Sequence, residues 1–228
     1  MQRTAVTLAL AALTACAGSR SHENAAPKVS DADFARLGPE QMAPVDQARQ
    51  AVNAARDELA RARLRQQQMQ NEAALAQADR TAADADAQRA AAEAKTANDS
   101  REPAALQRVQ QLQQQASLRR QAADAHLDYA NKLGAARAAQ VTSAQRQVDL
   151  AEAQLEWTKL QALQAGGVPA AAKYDQAAFQ KRYQDARQAA DQSFQQARDL
   201  ETQSIVAQRR YEDVTRQLQA WLGTGRAG

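Results

Sequence analysis

A chain of 228 residues could hold one or two ordinary domains, but about a quarter of it is Ala, only 4% is aromatic, and Ile and Phe are scarce. Ala buries little area, so this composition argues against a wide globular core and suits long helices that share narrow seams. The 29 basic and 26 acidic residues are interleaved, so the formal charge of +3 describes a solvated surface rather than the basic stripe with stacking aromatics of a nucleic-acid reader.

The chain opens like a secretory signal, with Arg3 as the positive start and Ala5 to Leu13 as a short apolar run. The run is too short to cross a bilayer, which takes about 20 consecutive apolar residues. It ends in Leu13-Thr14-Ala15-Cys16, an aliphatic residue and two small ones before the only cysteine of the chain. This quartet resembles the lipobox of bacterial lipoprotein precursors. The resemblance implies a signal peptide over residues 1–15, cleavage between Ala15 and Cys16, and lipidation of Cys16, commonly with an acylated amino group. Two or three acyl chains, at about 0.8 kcal/mol per buried methylene, would hold the chain stably on a membrane. Ala17 lacks the Asp that retains enteric lipoproteins in the inner membrane, which implies an outer-membrane anchor facing the periplasm. With Cys16 lipidated, no thiol is left for a disulfide or a metal.

Residues 16–43 read as a flexible tether, with Gly18, Ser19, Pro27, Gly38 and Pro39 and no sustained period. Within it, Asp31 to Leu37 suits a short helical turn that could dock Phe34 and Leu37 on the body. A helical coiled-coil domain is expected over residues 44–222, followed by a disordered tail at 223–228. The first long helix should start near Pro44 and run to about Ala97. Val45, Val52, Leu59 and Ala73 fall on one heptad position, and Ala48, Ala55, Ala62, Met69, Ala76 and Ala83 on the next.

Asn98 to Pro103 is the first breaker, either a reversal with Ser100 as helix cap or only a kink. The second helix carries Leu127, Gly134, Val141, Val148, Leu155 and Ala162 on one heptad position. Ala123, Ala130, Ala144, Ala151 and Ala165 share the companion position, interrupted by Arg137 and Thr158. Gly134 is either a close-packing point or a weak spot. Gly166-Gly167-Val168-Pro169 is the clearest turn, with glycine available for a left-handed helix end and proline soon after. The third helix should run from about Ala170 to Leu222 on a seam of Ala197, Leu200, Ala207, Tyr211, Val214, Leu218 and Trp221. The fold expected is all-α: an elongated antiparallel coiled coil with three helices running up, down and up. A long two-helix hairpin turning at Gly166 is the alternative.

Site chemistry is sparse. His22 lies in the tether, and His126 beside Leu127 reads as a boundary residue, because Asp124 and Asp128 are not at i, i+4 from it. The carboxylates are spaced with Arg and Lys as helix-surface ion pairs. There is no phosphate loop, nucleophile elbow or zinc-type histidine pair, so no enzyme, cofactor or metal is expected. Trp157, Tyr174, Phe179, Tyr183, Phe194, Tyr211 and Trp221 crowd the second half of the chain, where they either thicken the core around the Gly166 turn or form a partner-binding end. The candidate tip is Gly166, Gly167, Val168, Pro169 and Tyr174.

Residues 44–97, with Ala82-Ala83-Asp84-Ala85-Asp86-Ala87, are similar to the helical part of Ala-rich outer-membrane lipoproteins, though the peptidoglycan-binding domain that can follow is missing. Leu160 to Ala178 is similar to the helical-hairpin tip of periplasmic efflux adaptors, whose lipoyl and β-barrel domains have no counterpart here. The function expected is a non-enzymatic, lipid-anchored spacer or scaffold of the cell envelope with a protein partner and no nucleic acid. The alternative is a periplasmic binding module, either a holdase-like chaperone or an accessory subunit of an export or efflux complex. Seams this narrow could close within one chain or in a homo-oligomer.

Overall fold

The computed structural model describes residues 27–35 and 37–224. The fold is all-α. A single turn, α1 (Asp31–Phe34), precedes three long helices: α2 (Pro39–Ser100), α3 (Pro103–Ala165) and α4 (Gln176–Thr224). At 1.5 Å per residue, α2 and α3 are each roughly 90–95 Å long and α4 about 75 Å. Among the described residues no helix is long and apolar enough to cross a membrane.

Both breakers reverse the chain. Ion pairs join Arg56 to Glu152 and Asp86 to Arg119, so α2 and α3 run antiparallel along their length. Gln164 bonds Gln176 and Gln140 bonds Glu201, so α4 returns along α3 in the same sense as α2. The central helix α3 packs against both neighbours. At the first reversal Arg101 takes the left-handed conformation (φ 55°), and its N–H bonds the carbonyl of Ala97. Ser100, expected as the cap of the second helix, is instead the last residue of α2. The extended residue before Pro103 is Glu102.

The second reversal is a helix end of the Schellman type. Val168 N–H donates to the carbonyl of Leu163, and Gly167 N–H to that of Gln164. Only Gly167 is left-handed, at φ 63°. Gly166 is small for a different reason, because a Cβ there would lie 2.9 Å from Leu37 Cδ2. Three boundaries differ clearly from the sequence expectation. α2 starts at Pro39, with Pro44 inside it; Pro39 takes the first helical position, where a missing N–H costs nothing, and Pro44 removes a single bond close to the helix start. After Gly167, Pro169–Lys173 forms a 3-10 helix and α4 starts only at Gln176, where the Asp175 carboxylate accepts the N–H groups of Ala177 and Ala178. At its other end α4 runs to Thr224 and so takes in Gly223 and Thr224 of the expected tail.

Burial follows heptads. On α2 the buried residues include Val45, Val52 and Leu59, and an Ala series at 48, 62, 76 and 83 that continues through Ala90 and Ala97. On α3, Val109, Ala116, Ala123, Ala130, Ala144 and Ala151 are buried at the matching spacing. Ala165 is exposed, because the helix ends there. α3 has a second seam facing α4, with Ala122, His126, Ala136 and Ser143 buried on it. On α4, Phe179, Ala190, Ser193, Ala197, Ser204 and Ala207 are buried in alternating four and three spacing. The buried serines need no partner across the seam: Ser193 Oγ bonds the carbonyl of Ala190, and Ser204 Oγ that of Glu201.

Gly134 is no close-packing point, since a Cβ there would meet nothing within 4 Å. Gly134→Ala should therefore raise stability by about 0.5–1 kcal/mol through helix propensity alone. Gly167→Ala should lower it by about 1 kcal/mol through left-handed strain. Urea denaturation of the two variants checks both signs.

Candidate functional site

At the Gly166 end, residues 27–35 and Leu37 lie across the tip as a strap. Pro27 offers its carbonyl to Arg182 Nη1 at 3.0 Å, and Val29 N–H donates to Glu156 Oε2 at 2.8 Å. Ser30 N–H donates to Tyr174 Oη at 2.8 Å, and that hydroxyl donates to Asp33 Oδ2 at 2.9 Å. Phe34 sinks into a cluster with Val29, Val45, Leu160, Leu163 and Phe179, with Leu37 and Val168 packed against it. Two cations lie over the Phe34 ring, Arg49 at 5.3 Å and Lys159 at 5.9 Å from its centroid. Glu156 and Lys159 are both buried and bond each other at 2.8 Å, so each satisfies the other where a lone charge would be costly.

Phe34 and Leu37 dock on the body as their spacing suggested. The packing from Pro27 onward differs from a flexible tether running to residue 43. The candidate tip brings together Gly166, Gly167, Val168, Pro169 and Tyr174; the chain's own N-terminal segment packs on Val168 and Tyr174, which are half-buried, while Gly166, Gly167 and Pro169 stay exposed. Tyr174 spends its hydroxyl on the strap. Burial raises its pKa, the Ser30 N–H opposes this, and the Asp33 carboxylate adds to it. Phe179, Tyr174 and Trp157 thicken the core here, while Phe194 stays 47% exposed further along α4. Ala15 and Cys16 lie outside the described residues.

A second feature is a trough along α3 between α2 and α4, with two recesses. The first, of about 270 Å³, is lined by Asp79 and Asp86 from α2, Arg119, Ala122 and His126 from α3, and Tyr211, Thr215 and Leu218 from α4. His126 is no boundary residue: it is only 6% exposed. Its Nδ1 lies 2.8 Å from Asp79 Oδ2 and its Nε2 3.0 Å from Glu72 Oε1. Its ring stacks on Tyr211 at 4.6 Å, and the Tyr129 ring lies 6.2 Å from that of Tyr211. Burial and the Glu72 charge raise the pKa of Tyr129, so its phenol stays neutral well past physiological pH. The carboxylates that sequence spacing sought on α3 come instead from α2, a partnership that no local pattern reveals.

The second recess, of about 590 Å³, is lined by Glu58 and Arg65, by Arg137, Gln140, Ser143 and Ala144, and by Phe194, Ala197, Arg198 and Glu201. Bonds from Arg65 and Arg61 lower the pKa of Glu58. Every one of the three helices contributes residues spaced by three heptads between the two recesses, as with Asp79 and Glu58, Ala122 and Ser143, or Leu218 and Ala197. The recesses thus share one face, about 31 Å apart. Among the described residues no group of three or more His, Cys, Asp or Glu could hold a metal ion.

No family model matches the chain, and no curated protein and no solved structure is significantly similar to it.

Tyr174→Phe removes both hydroxyl bonds of the strap. It should speed trypsin cleavage after Lys28 several-fold while leaving the helices intact by circular dichroism. A raised phenol pKa means that the folded state favours the neutral hydroxyl; its contribution is complete below the ordinary value of 10.0 and declines as pH rises above it. Cleavage of the unsubstituted chain should accordingly show no loosening of the strap between about pH 6 and pH 9. His126→Ala should lower stability by about 2 kcal/mol through loss of the ring stack and the bonds to α2. It should also raise amide exchange in α4 around Tyr211 more than around Phe179.

Proposed function

We propose that the chain is a lipid-anchored, non-enzymatic spacer or scaffold of the bacterial envelope, held through Cys16 on the outer membrane and facing the periplasm. The lipobox-like Leu13-Thr14-Ala15-Cys16 supports the anchor. The observation that carries the spacer reading is the strap at one end of a rod roughly 90 Å long. Eleven residue steps separate Cys16 from Pro27, a reach of at most about 40 Å. The lipid therefore serves the Gly166 end, and the reversal at Arg101 stands farthest from the bilayer. The partner-facing surface moves with it, from the strapped tip to the distal part of the α2–α3 hairpin. Continuing the pairing of Tyr211 with His126 along the helices, α4 ends about level with Gln113, so that among the described residues the distal part consists of two helices only.

The alternative, a periplasmic binding module, draws support from exposed apolar side chains: Leu64 and Leu75 on α2, Ile205 and Val206 on α4. Such side chains give contact area to unfolded chains or to a complex.

Palmitate labelling in cells tests the anchor and should be lost in Cys16→Ser; labelling that persists in that variant rejects the lipidation reading. Orientation is tested separately on the lipidated protein in vesicles that contain nitroxide lipid. A fluorophore at Gln164 should be quenched strongly and one at Asp99 hardly at all. Equal or reversed quenching sinks the upright spacer even where the lipid is present.

A further inference from the structure

The Ala seam between α2 and α3 fails at one level. The α3 series Val109, Ala116, Ala123, Ala130, Ala144 and Ala151 is broken only by Arg137, and the α2 series from Ala48 to Ala97 only by Met69. The antiparallel register set by Arg80 with Asp124 and by Arg56 with Glu152 places these two exceptions at the same height. Arg137 is half-buried; it donates from Nη1 to Gln140 Oε1 at 2.8 Å and forms no ion pair with a described residue. A guanidinium at a seam position without a carboxylate works against packing. It opens onto the larger recess, where Arg65 is held by Glu58 and Arg198 lies over the exposed Phe194 ring, 5.8 Å from its centroid.

The space has a cause as well. Three heptads away, His126 and Tyr211 fill the trough with two stacked rings; the equivalent positions at this level are Gln147 and Ala190. What remains is a recess of about 590 Å³, within the range of small-ligand sites. Its floor is buried Ala144 and Ala197, one wall is a phenyl ring, and three arginines face two glutamates. Planar guanidinium forks suit carboxylate and phosphate oxygens, and the ring and methyl groups suit an apolar body.

We infer that this recess binds a small anionic amphiphile, a molecule with one carboxylate or phosphate group on an apolar body. Arg137 and Arg198 take the anion, and the apolar part lies on Phe194, Ala144 and Ala197. The inference does not depend on lipidation of Cys16.

The test uses the full chain carrying Cys16→Ser, titrated calorimetrically with laurate and with dodecyl phosphate, both below their micelle concentrations. One-to-one saturable binding of at least one probe is expected, weakened at least tenfold in Arg137→Ala and clearly in Phe194→Ala, and unchanged in Arg119→Gln at the other recess. Arg137→Ala also restores the Ala seam, so it should raise Tm while it removes binding; a merely structural arginine would lower Tm. Unchanged affinity in Arg137→Ala, absence of binding by both probes, or equal binding of the uncharged dodecyl maltoside overturns the proposal. Binding to phosphatidylglycerol vesicles without binding to either monomeric probe overturns it too, by assigning the arginines to a membrane surface.

Discussion

Close approach of α2 and α3 along a column of alanines is the constraint on which the remainder of the structure rests. A methyl-sized group contributes on the order of 0.8 kcal/mol when buried, so no single level of this seam is strong. Stability comes from repetition over roughly 90 Å and from the short distance at which two Ala-lined helices can run. The same economy explains the thin, extended form. With few large side chains to fill a broad interior, the chain can satisfy one seam at a time, and α3 serves as the shared partner by presenting one seam to α2 and another to α4.

Large side chains are spent where the repeating seam is not enough. Phe34, Leu160, Leu163 and Phe179 belong to the larger of two buried apolar clusters among the described residues, at the Gly166 end, where a helix terminus, a 3-10 helix, the start of α4 and the strap converge. The buried Glu156–Lys159 pair belongs to that end as well, with Glu156 also accepting the Val29 N–H. His126 does comparable work in mid-rod, since its contacts with Asp79, Glu72 and Tyr211 join all three long helices at one level. Between these two strong points the Arg137 level is the place where packing is relaxed, and a recess opens there.

The flanking ion pairs contribute differently. Arg56 with Glu152 lies at the helix flanks where solvent screens it, while Arg80 is largely covered and meets the more open Asp84 and Asp124 at the edge of the seam. Such pairs add little stability each. They do disfavour other registers, because an Ala seam by itself is nearly indifferent to a slip of one heptad. Charge complementarity between α2 and α3 is the non-repeating information that a repeating seam lacks.

How much of this was legible in the sequence depended on whether the signal was local. Helix content, the two reversals' neighbourhoods and the heptad positions of Val45, Leu59, Ala123 and Ala207 follow from propensity, periodicity and breakers, all of which act within a few turns. The Gly167 cap was foreshadowed by its glycine, although Gly166 is small because Leu37 approaches it from more than a hundred residues away. The strap, the carboxylate partners of His126 and the recess at Arg137 were beyond local reading. Each joins elements distant in sequence, and the polar, Ala-rich second seam of α3 carries no apolar period strong enough to announce a partner. The sequence by itself determined that the chain is helical and where it must break. Only tertiary structure decided which helix faces meet, because in a chain so rich in alanine many faces can pack, and the choice falls to scattered charges and a few large rings.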